Sequence, residues 1–338
     1  MKIIAWEITR KCELSCKHCR ASAINKNYDG EFTTEEAFKT IDSIASKYPT
    51  LLILTGGEPM MRNDIREIIR YASSKKIRVV MATCGINLNG ESLKSLKDDG
   101  LSRISLSLDG CNAKTHDLFR GRNGAFSEII NCAESAKKAG LEFQINTTLT
   151  TENVDSIIEI NDIANELDAV LHDLFLLVPT GRASILKDIE LNSIQYEQTL
   201  RWIAEEVVTG KRKIRVTCAP QYARIFRQTC KKHNVENIFD RQLIPNGCLA
   251  GNGFIFISHT GDLQPCGFFD VPCGNIRNFN YDFYQTVDSS SLFKNISKKE
   301  AYLGKCGTCN YWDVCKGCRA RALAHCGNYM KDEPFCNY

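Results

Sequence analysis

Three cysteines lie in one short stretch near the start of the chain, Cys12-Glu-Leu-Ser-Cys16-Lys-His-Cys19, here called the cysteine loop. They directly follow an apolar run, residues 3–8, that is typical of a buried β-strand. Thiolates are the soft ligands that iron–sulfur clusters prefer, so this loop can bind three of the four irons of a 4Fe–4S cluster. The spacing therefore predicts a cluster with one iron open to a cofactor or a substrate.

A second group of cysteines lies in the last third of the chain, in a region rich in glycine, aromatic residues and turns. Its members are Cys248, Cys266, Cys306, Cys309, Cys315, Cys318 and Cys336. Few apolar residues recur there with a regular period, so we expect a metal to hold the fold. Two interpretations fit the spacing: iron–sulfur clusters, or a zinc site built from the thiolates of residues 306, 309, 315 and 318.

The composition limits the possible classes of protein. There are 17 cysteines among 338 residues, and this odd count with C-x2-C spacing favours metal ligands over disulfides. The N-terminal residues are typical of a strand and not of a signal peptide, which predicts a cytoplasmic protein. The net charge is only +3, and the apolar runs are too short to span a bilayer. We therefore expect neither a nucleic-acid nor a membrane partner.

Strands and helices must position these thiols, and they alternate along residues 1–210. Strands are predicted near 3–8, 50–54, 77–81, 103–108, 142–148 and 171–178, and helices near 35–47, 63–74, 91–98, 125–138, 153–166 and 193–208. This alternation predicts an α/β fold, a partial (β/α)6 barrel with its chemistry at the C-terminal ends of the strands. Residues 211–245 would connect it to a small cysteine-rich domain, residues 246–338, with a β-hairpin at 254–266.

Polar and turn-forming residues follow each predicted strand, as the barrel hypothesis requires. After the cysteine loop they are Thr55–Pro59, Thr83–Asn87, Ser105–Gly110, Asn146–Thr148 and Pro179–Arg182. Because the C-terminal ends of parallel strands meet at one rim, these segments should surround the cysteine loop.

The cysteine loop and the turn Gly56-Gly57-Glu58-Pro59 resemble the radical S-adenosylmethionine (SAM) superfamily in residue type and order. The resemblance implies SAM and a 4Fe–4S cluster as cofactors, with Cys12, Cys16 and Cys19 as cluster ligands. It implies that SAM binds the open iron and is cleaved to a 5′-deoxyadenosyl radical that abstracts hydrogen from a small-molecule substrate. An electron donor such as flavodoxin or ferredoxin would be the partner. The protein would supply placement and exclusion of water.

The same resemblance assigns cofactor-binding roles at the rim. They fall to Gly56, Gly57, Glu58, His18, Ser107, Asp109, Arg120 and Arg122. The GGE turn would receive the methionine ammonium of SAM, and one of the two arginines would pair with its carboxylate. Three of these residues have equally good alternative roles: Asp109 could only cap a turn, and Arg120 and Arg122 could be surface residues. Cys84, at the end of the third strand, is a candidate hydrogen donor, with packing as its alternative role.

The C-terminal cysteines resemble the SPASM type of extension, which holds one or two auxiliary 4Fe–4S clusters. By that pattern the outer cysteines, Cys306, Cys309, Cys315 and Cys336, would bind one cluster. The inner cysteines, Cys248, Cys266 and Cys318, would bind another and leave it one ligand short. Cys273 is then the nearest fourth ligand, and otherwise the open iron would bind substrate. The spacing Cys315-x2-Cys318 is one residue shorter than the usual form of the motif.

Further motifs, among them Thr217-Cys-Ala-Pro220 and Gly317-Cys-Arg-Ala-Arg321, resemble the heme-synthesis branch of this superfamily. The leading hypothesis is therefore a radical SAM oxidoreductase or lyase that trims the side chain of a nitrogen-heterocyclic small molecule, nearest to a tetrapyrrole propionate. One alternative is a lyase acting on a modified 7-deazaguanine such as queuine. Another is a ribosomal-peptide maturase. An iron–sulfur electron carrier is disfavoured, because the open iron and the GGEP turn would have no use.

Overall fold

One sheet runs through the computed structural model, which describes residues 2–236, 238 and 240–338. The described strands are β1 Lys2–Thr9, β2 Thr50–Gly56, β3 Arg78–Thr83, β4 Leu101–Ser107, β5 Glu142–Leu149, β6 His172–Leu176, β7 Ile214–Thr217, β8 Phe254–Ile257 and β9 Leu263–Gln264. Their order in the sheet is β7-β6-β5-β4-β3-β2-β1-β8-β9. The neighbours pair in parallel except for the antiparallel hairpin β8–β9. The predicted α/β fold is confirmed.

The helices before β8 connect the parallel strands, as right-handed β-α units require, and the others follow the last strand, β9. They are α1 Thr34–Ala45, α2 Ile65–Ser74, α3 Gly90–Asp98, α4 Ala113–Arg120, α5 Ala125–Ala139, α6 Ile157–Glu166, α7 Ser193–Val208, α8 Tyr222–Lys232, α9 Phe283–Ser289, α10 Ser291–Asn295, α11 Gly304–Thr308 and α12 Arg319–Cys326. Helix α1 begins with a capping box, in which Thr33 and Glu36 bond each other's backbone N–H groups. Helix α5 ends at Gly140, whose positive φ of 65° suits glycine.

The main core lies between the sheet and the helices that cover it. Strand β1 is buried on both faces from Ile4 onward because it lies between β2 and β8 and is covered above and below. Ile4, Trp6, Leu52 and Leu54 are fully buried. Burying a side chain of this size contributes about 1.5–3 kcal/mol, so this region rigidly supports the rim at the C-terminal end of β1.

The structure extends the sequence prediction in two places. Residues 211–245, expected only to connect two domains, contain a seventh parallel strand, β7, and helix α8. The predicted hairpin forms, but it pairs with the barrel: Ile3–Trp6 of β1 align with Phe254–Ile257 of β8. Strand β1 has a free edge in a six-stranded sheet, and β8 satisfies the backbone groups on that edge. The domain boundaries stay a prediction.

None of the helices in the described residues combines the length and the apolar character needed to cross a lipid bilayer.

Candidate functional site

The three thiols of the cysteine loop lie in a small apolar cluster at the C-terminal end of β1. Cys12 and Cys16 are buried there beside Leu14 and Ile86, and Cys19 packs against them. Each sulfur accepts a hydrogen bond: Cys12 from the Leu14 N–H, Cys19 from the Ala23 N–H, and Cys16 from the Arg120 guanidinium, at 3.4, 3.5 and 3.5 Å. Donors aimed at sulfur favour its negative, metal-binding form. The donor set therefore fits the three thiolate ligands of a cluster.

Hydrogen bonds with three segments of the chain hold the backbone of the cysteine loop and of the residues that lead into it. The GGE turn after β2 donates from Gly57 N–H to the Thr9 carbonyl and from Glu58 N–H to the Lys11 carbonyl, both at 2.8 Å. The last turn of α4 accepts the Lys17 N–H at the Phe119 carbonyl, at 3.0 Å.

Arg182 belongs to the third segment, which follows β6. Its Nε donates to the Cys16 carbonyl at 2.9 Å, and a terminal nitrogen donates to the Ala23 carbonyl at 2.7 Å. The backbone N–H of Arg182 also donates to the Cys19 carbonyl at 3.0 Å. Sequence reasoning placed Pro179–Arg182 at the rim but assigned Arg182 no role. The structure shows that this side chain braces the cysteine loop.

Gly56 and Gly57 bring two backbone segments into direct contact. A Cβ on Gly56 would lie 2.1 Å from the Thr9 carbonyl oxygen. A Cβ on Gly57 would lie 2.3 Å from the Lys11 oxygen and 2.5 Å from the Arg10 oxygen. Only glycine allows this approach, so these residues set the position of the chain that leads into the cysteine loop.

Gly57→Ala should therefore displace the cysteine loop, because the new methyl group meets backbone oxygens that cannot rotate away. We expect a loss of about 1–3 kcal/mol in the free energy of unfolding of the apoprotein, as for overpacking, and reduced iron uptake on reconstitution. Urea denaturation and iron analysis measure both. The matched control is Gly90→Ala, where nothing lies within 4 Å of the added Cβ. If both variants behave like the parent protein, the backbone contact does not position the loop.

Glu58 joins the GGE turn to the end of β3. Its carboxylate accepts hydrogen bonds from the Met60 N–H at 3.1 Å, the Thr83 hydroxyl at 2.8 Å and the Cys84 N–H at 2.7 Å. A carboxylate has about four acceptor positions. Three are used within the protein, so Glu58 is held rigidly and retains capacity for about one more donor.

Asp109 and Arg120 form a buried ion pair beside the cysteine loop. Arg120 Nε lies 2.8 Å from Asp109 Oδ2, and the other carboxylate oxygen accepts the Thr148 N–H at 2.7 Å. Burial opposes ionisation of Asp109, but the Arg120 guanidinium overrides it and lowers the pKa of this carboxyl. Arg120 thus carries a fixed positive charge next to Cys16.

The other predicted rim residues occupy different environments. His18 is half-buried and stacks on Phe119, with ring centroids 4.6 Å apart, and desolvation lowers its pKa to about 4, so it is neutral. Ser107 is the last residue of β4 and is half-buried. Arg122 forms partly exposed ion pairs with Glu13 and Glu128. Arg120 is thus the arginine that reaches the thiols, whereas Arg122 contacts the outside of the loop.

Cys84 follows β3 and packs against the cluster of apolar side chains around the cysteine loop. Burial, together with the charge of Glu58, raises the pKa of its thiol well above the ordinary value. Cys84 is therefore a protonated thiol at neutral pH, the form that a hydrogen donor needs. Its catalytic role stays a prediction.

The outer cysteines line one cavity of about 250 Å³ in the C-terminal region. Tyr311 N–H donates to Cys309 Sγ at 3.3 Å, and Gly317 N–H donates to Cys315 Sγ at 3.4 Å. The volume is about eight times the share of one water molecule in the liquid. A 4Fe–4S cluster, held by four separate thiolates, fits this arrangement.

The inner cysteines lie near one another. Cys266 packs against the apolar cluster that contains Cys318. Burial raises the pKa of the Cys266 thiol, and the neighbouring charges of Cys318 and Cys248 raise it further. Cys273, suggested as a fourth ligand, lies elsewhere: it belongs to the main core, and its thiol donates to the Val271 carbonyl at 3.3 Å. A ligand role for Cys273 stays a prediction.

Two fully buried arginines accompany the C-terminal thiols. Arg319 lies 3.8 Å from Cys306 Sγ through a terminal nitrogen and donates to the Tyr329 and Lys331 carbonyls. The backbone N–H of Arg321 donates to Cys318 Sγ at 3.4 Å. Burial raises the pKa of the Cys318 thiol, and the Arg321 guanidinium lowers it. A cluster bound by thiolates carries net negative charge, which buried guanidinium groups can balance. Sequence reasoning quoted both residues in a motif but did not assign them this function.

Three comparisons place the chain among known proteins. The model of the radical SAM superfamily matches residues 6–164. An AdoMet-dependent heme synthase of Nitratidesulfovibrio vulgaris is 44% identical, and the match covers 100% of this chain and 92% of that protein. One of Methanosarcina barkeri is 42% identical, with 100% and 96% covered. The crystal structure of Streptococcus suis SuiB bound to S-adenosylmethionine matches with a TM-score of 0.76 at 16% identity, covering 99% of this chain and 77% of that one. That last likeness shows the fold alone.

Proposed function

Because the chain belongs to the radical SAM superfamily, in the branch of the AdoMet-dependent heme synthases, we propose that it converts propionate side chains of an iron tetrapyrrole into vinyl groups. The observation that carries this proposal is the similarity of 42–44% identity along the entire chain, cysteine loop and C-terminal cysteines included. A relative that shared only the barrel would support the radical chemistry without indicating the substrate.

Cys12, Cys16 and Cys19 would hold the 4Fe–4S cluster, and SAM on its open iron would supply the 5′-deoxyadenosyl radical. Glu58, with about one free acceptor position, and the carbonyls of Gly56 and Gly57 would receive the methionine ammonium. Arg120 would meet the methionine carboxylate, since it already lies against Cys16. The ring of His18, stacked on buried Phe119, would exclude water beside the loop.

The proposed reaction balances for each side chain. A propionate, –CH2–CH2–COO⁻, gives up one hydrogen atom from its first carbon, then carbon dioxide and one electron, and becomes –CH=CH2. The hydrogen atom goes to the 5′-deoxyadenosyl radical, and the electron goes to a one-electron acceptor such as an oxidised iron–sulfur or flavin protein. The task of the protein is to bring the first carbon of the chain within reach of the radical and to hold the carboxylate.

Arg20 is the residue that we propose to hold the substrate carboxylate. It follows the cysteine loop directly, and its guanidinium lies over the ring of Phe256 in β8, at 4.5 Å. It shares the fully buried Glu7 with Arg10, at 3.7 and 3.0 Å. Burial would raise the pKa of Glu7, but Arg20 and the other cations lower it to about 2. Arg10 already bonds both oxygens of Glu7, so Arg20 keeps free donors for a propionate.

The remaining assignments complete the proposal. The outer and inner cysteines would hold auxiliary clusters in a C-terminal domain at residues 246–338, attached to a barrel at residues 1–210 through 211–245. Ser107, Asp109 and Arg122 would support SAM binding at the rim. Flavodoxin or ferredoxin would deliver the reducing electron, and the cytoplasm, where such carriers and reduced thiols persist, would be the compartment.

The test is an anaerobic assay of reconstituted protein with SAM, dithionite and an iron coproporphyrin, whose side chains include propionates. Mass spectrometry should detect the loss of the elements of formic acid from each converted chain, together with 5′-deoxyadenosine. If 5′-deoxyadenosine accumulates while the porphyrin is unchanged, the substrate proposal is wrong and the radical chemistry stands. Conversion of queuine or of a peptide under the same conditions would identify the class of substrate instead.

A further inference from the structure

A fourth cysteine, Cys218, lies beside the inner cysteines. It follows β7, and it packs with Cys266 against the buried cluster that contains Cys318. Cys248, whose charge acts on the thiols of both Cys266 and Cys318, completes the group. We propose that Cys218 is the fourth thiolate of the inner auxiliary cluster, which would then have no iron open to substrate. The inference rests on the proposed function, in which the C-terminal cysteines bind iron–sulfur clusters.

The backbone at Cys218 is held in an uncommon conformation. Its φ is +63°, in the left-handed region that few residues other than glycine adopt. The Cys218 carbonyl accepts hydrogen bonds from an Arg321 terminal nitrogen at 3.0 Å and from the Tyr196 hydroxyl at 3.2 Å. Such a conformation persists where its surroundings hold it, and it is typical of functional positions. A cysteine is an unexpected choice here unless its thiol is needed.

The charges around Cys218 suit a thiolate. Arg321 is fully buried, and besides the Cys218 carbonyl it bonds the Leu177 carbonyl at 2.9 Å and Glu333 at 3.4 Å. The backbone N–H of Arg321 also donates to Cys318 Sγ. One guanidinium therefore connects the ends of β6 and β7 to the first turn of α12, and its positive charge lies near the thiols of Cys218 and Cys318. A buried cation at that point would compensate a negatively charged cluster.

The inference predicts where the substrate does not bind. With three thiolates, the inner cluster would offer an iron to a substrate carboxylate. With four, every iron has a protein ligand, and the cluster can only carry electrons. Substrate must then be held by side chains such as Arg20 instead of by an auxiliary iron.

The experiment uses full-length protein in which Cys12, Cys16 and Cys19 are alanine, so that only C-terminal clusters remain. Cys218→Gly removes the thiol and suits the left-handed backbone, so misfolding through strain is avoided. Cys218→Ser offers a weaker oxygen ligand. Cys273→Ala is the matched control, since that thiol is outside the group. Iron analysis, Mössbauer spectra and EPR are recorded after anaerobic reconstitution.

The parent, which is the triple-alanine protein with Cys218 intact, should show only four-coordinate cluster irons. The Cys273→Ala control should give the same spectra. Cys218→Gly should lose iron and display the EPR signal of a three-iron cluster after oxidation, and Cys218→Ser should shift the spectrum. If Cys218→Gly keeps the iron content and spectra of the parent, the inference is wrong while the auxiliary clusters stand. If the parent takes up zinc and no iron, both the inference and the auxiliary-cluster assignment are wrong.

Discussion

Cys16→Ala is expected to abolish reductive cleavage of SAM and to reduce 5′-deoxyadenosine formation to the level of the apoprotein. Cys16 is the central thiol of the loop and is buried. Its sulfur accepts a hydrogen bond from the Arg120 guanidinium, and its carbonyl accepts one from the Arg182 side chain. Without this ligand the cluster would be bound by two thiolates only, which leaves two irons without protein ligands. The effect should concern cofactor chemistry and not the stability of the barrel, because the change removes a single sulfur atom.

The measurement is 5′-deoxyadenosine release by anaerobic protein with dithionite, with and without porphyrin. Cys230→Ala is the matched control, because this partly buried cysteine of α8 packs in a separate apolar cluster around α7 and β7. The control should cleave SAM at the rate of the parent. Persistent cleavage by Cys16→Ala, with iron content equal to that of the control, would show that the cluster is held elsewhere.

Arg120→Met should be the most destabilising of the rim substitutions. Removing one partner of a buried ion pair typically costs about 3–5 kcal/mol because the other charge is left uncompensated. Here that charge is Asp109, whose side chain is 1% exposed. The variant Arg120→Met/Asp109→Asn should recover most of this loss, because the amide oxygen can still accept the Thr148 N–H and no charge remains buried. Urea denaturation of the apoproteins measures the difference.

The pH dependence provides a second measure of the same pair. In the parent, Arg120 lowers the pKa of Asp109, so the pair stabilises the fold above the ordinary aspartate range and that contribution is lost as the pH falls through the lowered pKa. In Arg120→Met the uncompensated carboxyl binds a proton more readily. The stability deficit of the variant should therefore shrink as the pH decreases. A deficit that is constant with pH, or a double variant no better than the single one, would mean that packing and not charge explains the loss.

Local patterns in the sequence were sufficient for much of the architecture. Helix α7 spans residues 193–208 as its periodicity predicts, and the capping box of Thr33 and Glu36 begins α1. The order of strands and helices, the cysteine loop after β1 and the GGE turn after β2 follow from spacing along short stretches. Such features depend on backbone geometry and hydrophobic period, which act over a few residues.

Tertiary structure alone decided which distant residues surround the thiols. Arg182 is 166 residues from Cys16, and Arg321 is 103 residues from Cys218, yet each pair is hydrogen-bonded. The hairpin joins β1 because that edge of the sheet needs partners, a condition that neither segment expresses in its own sequence. Neither Cys218 nor Cys273 belongs to a cluster motif in the sequence, so local spacing does not distinguish them. Only the folded chain brings Cys218, after β7, to Arg321 of α12 and to the inner cysteines, because contacts between remote segments depend on the arrangement of the whole sheet and not on local spacing.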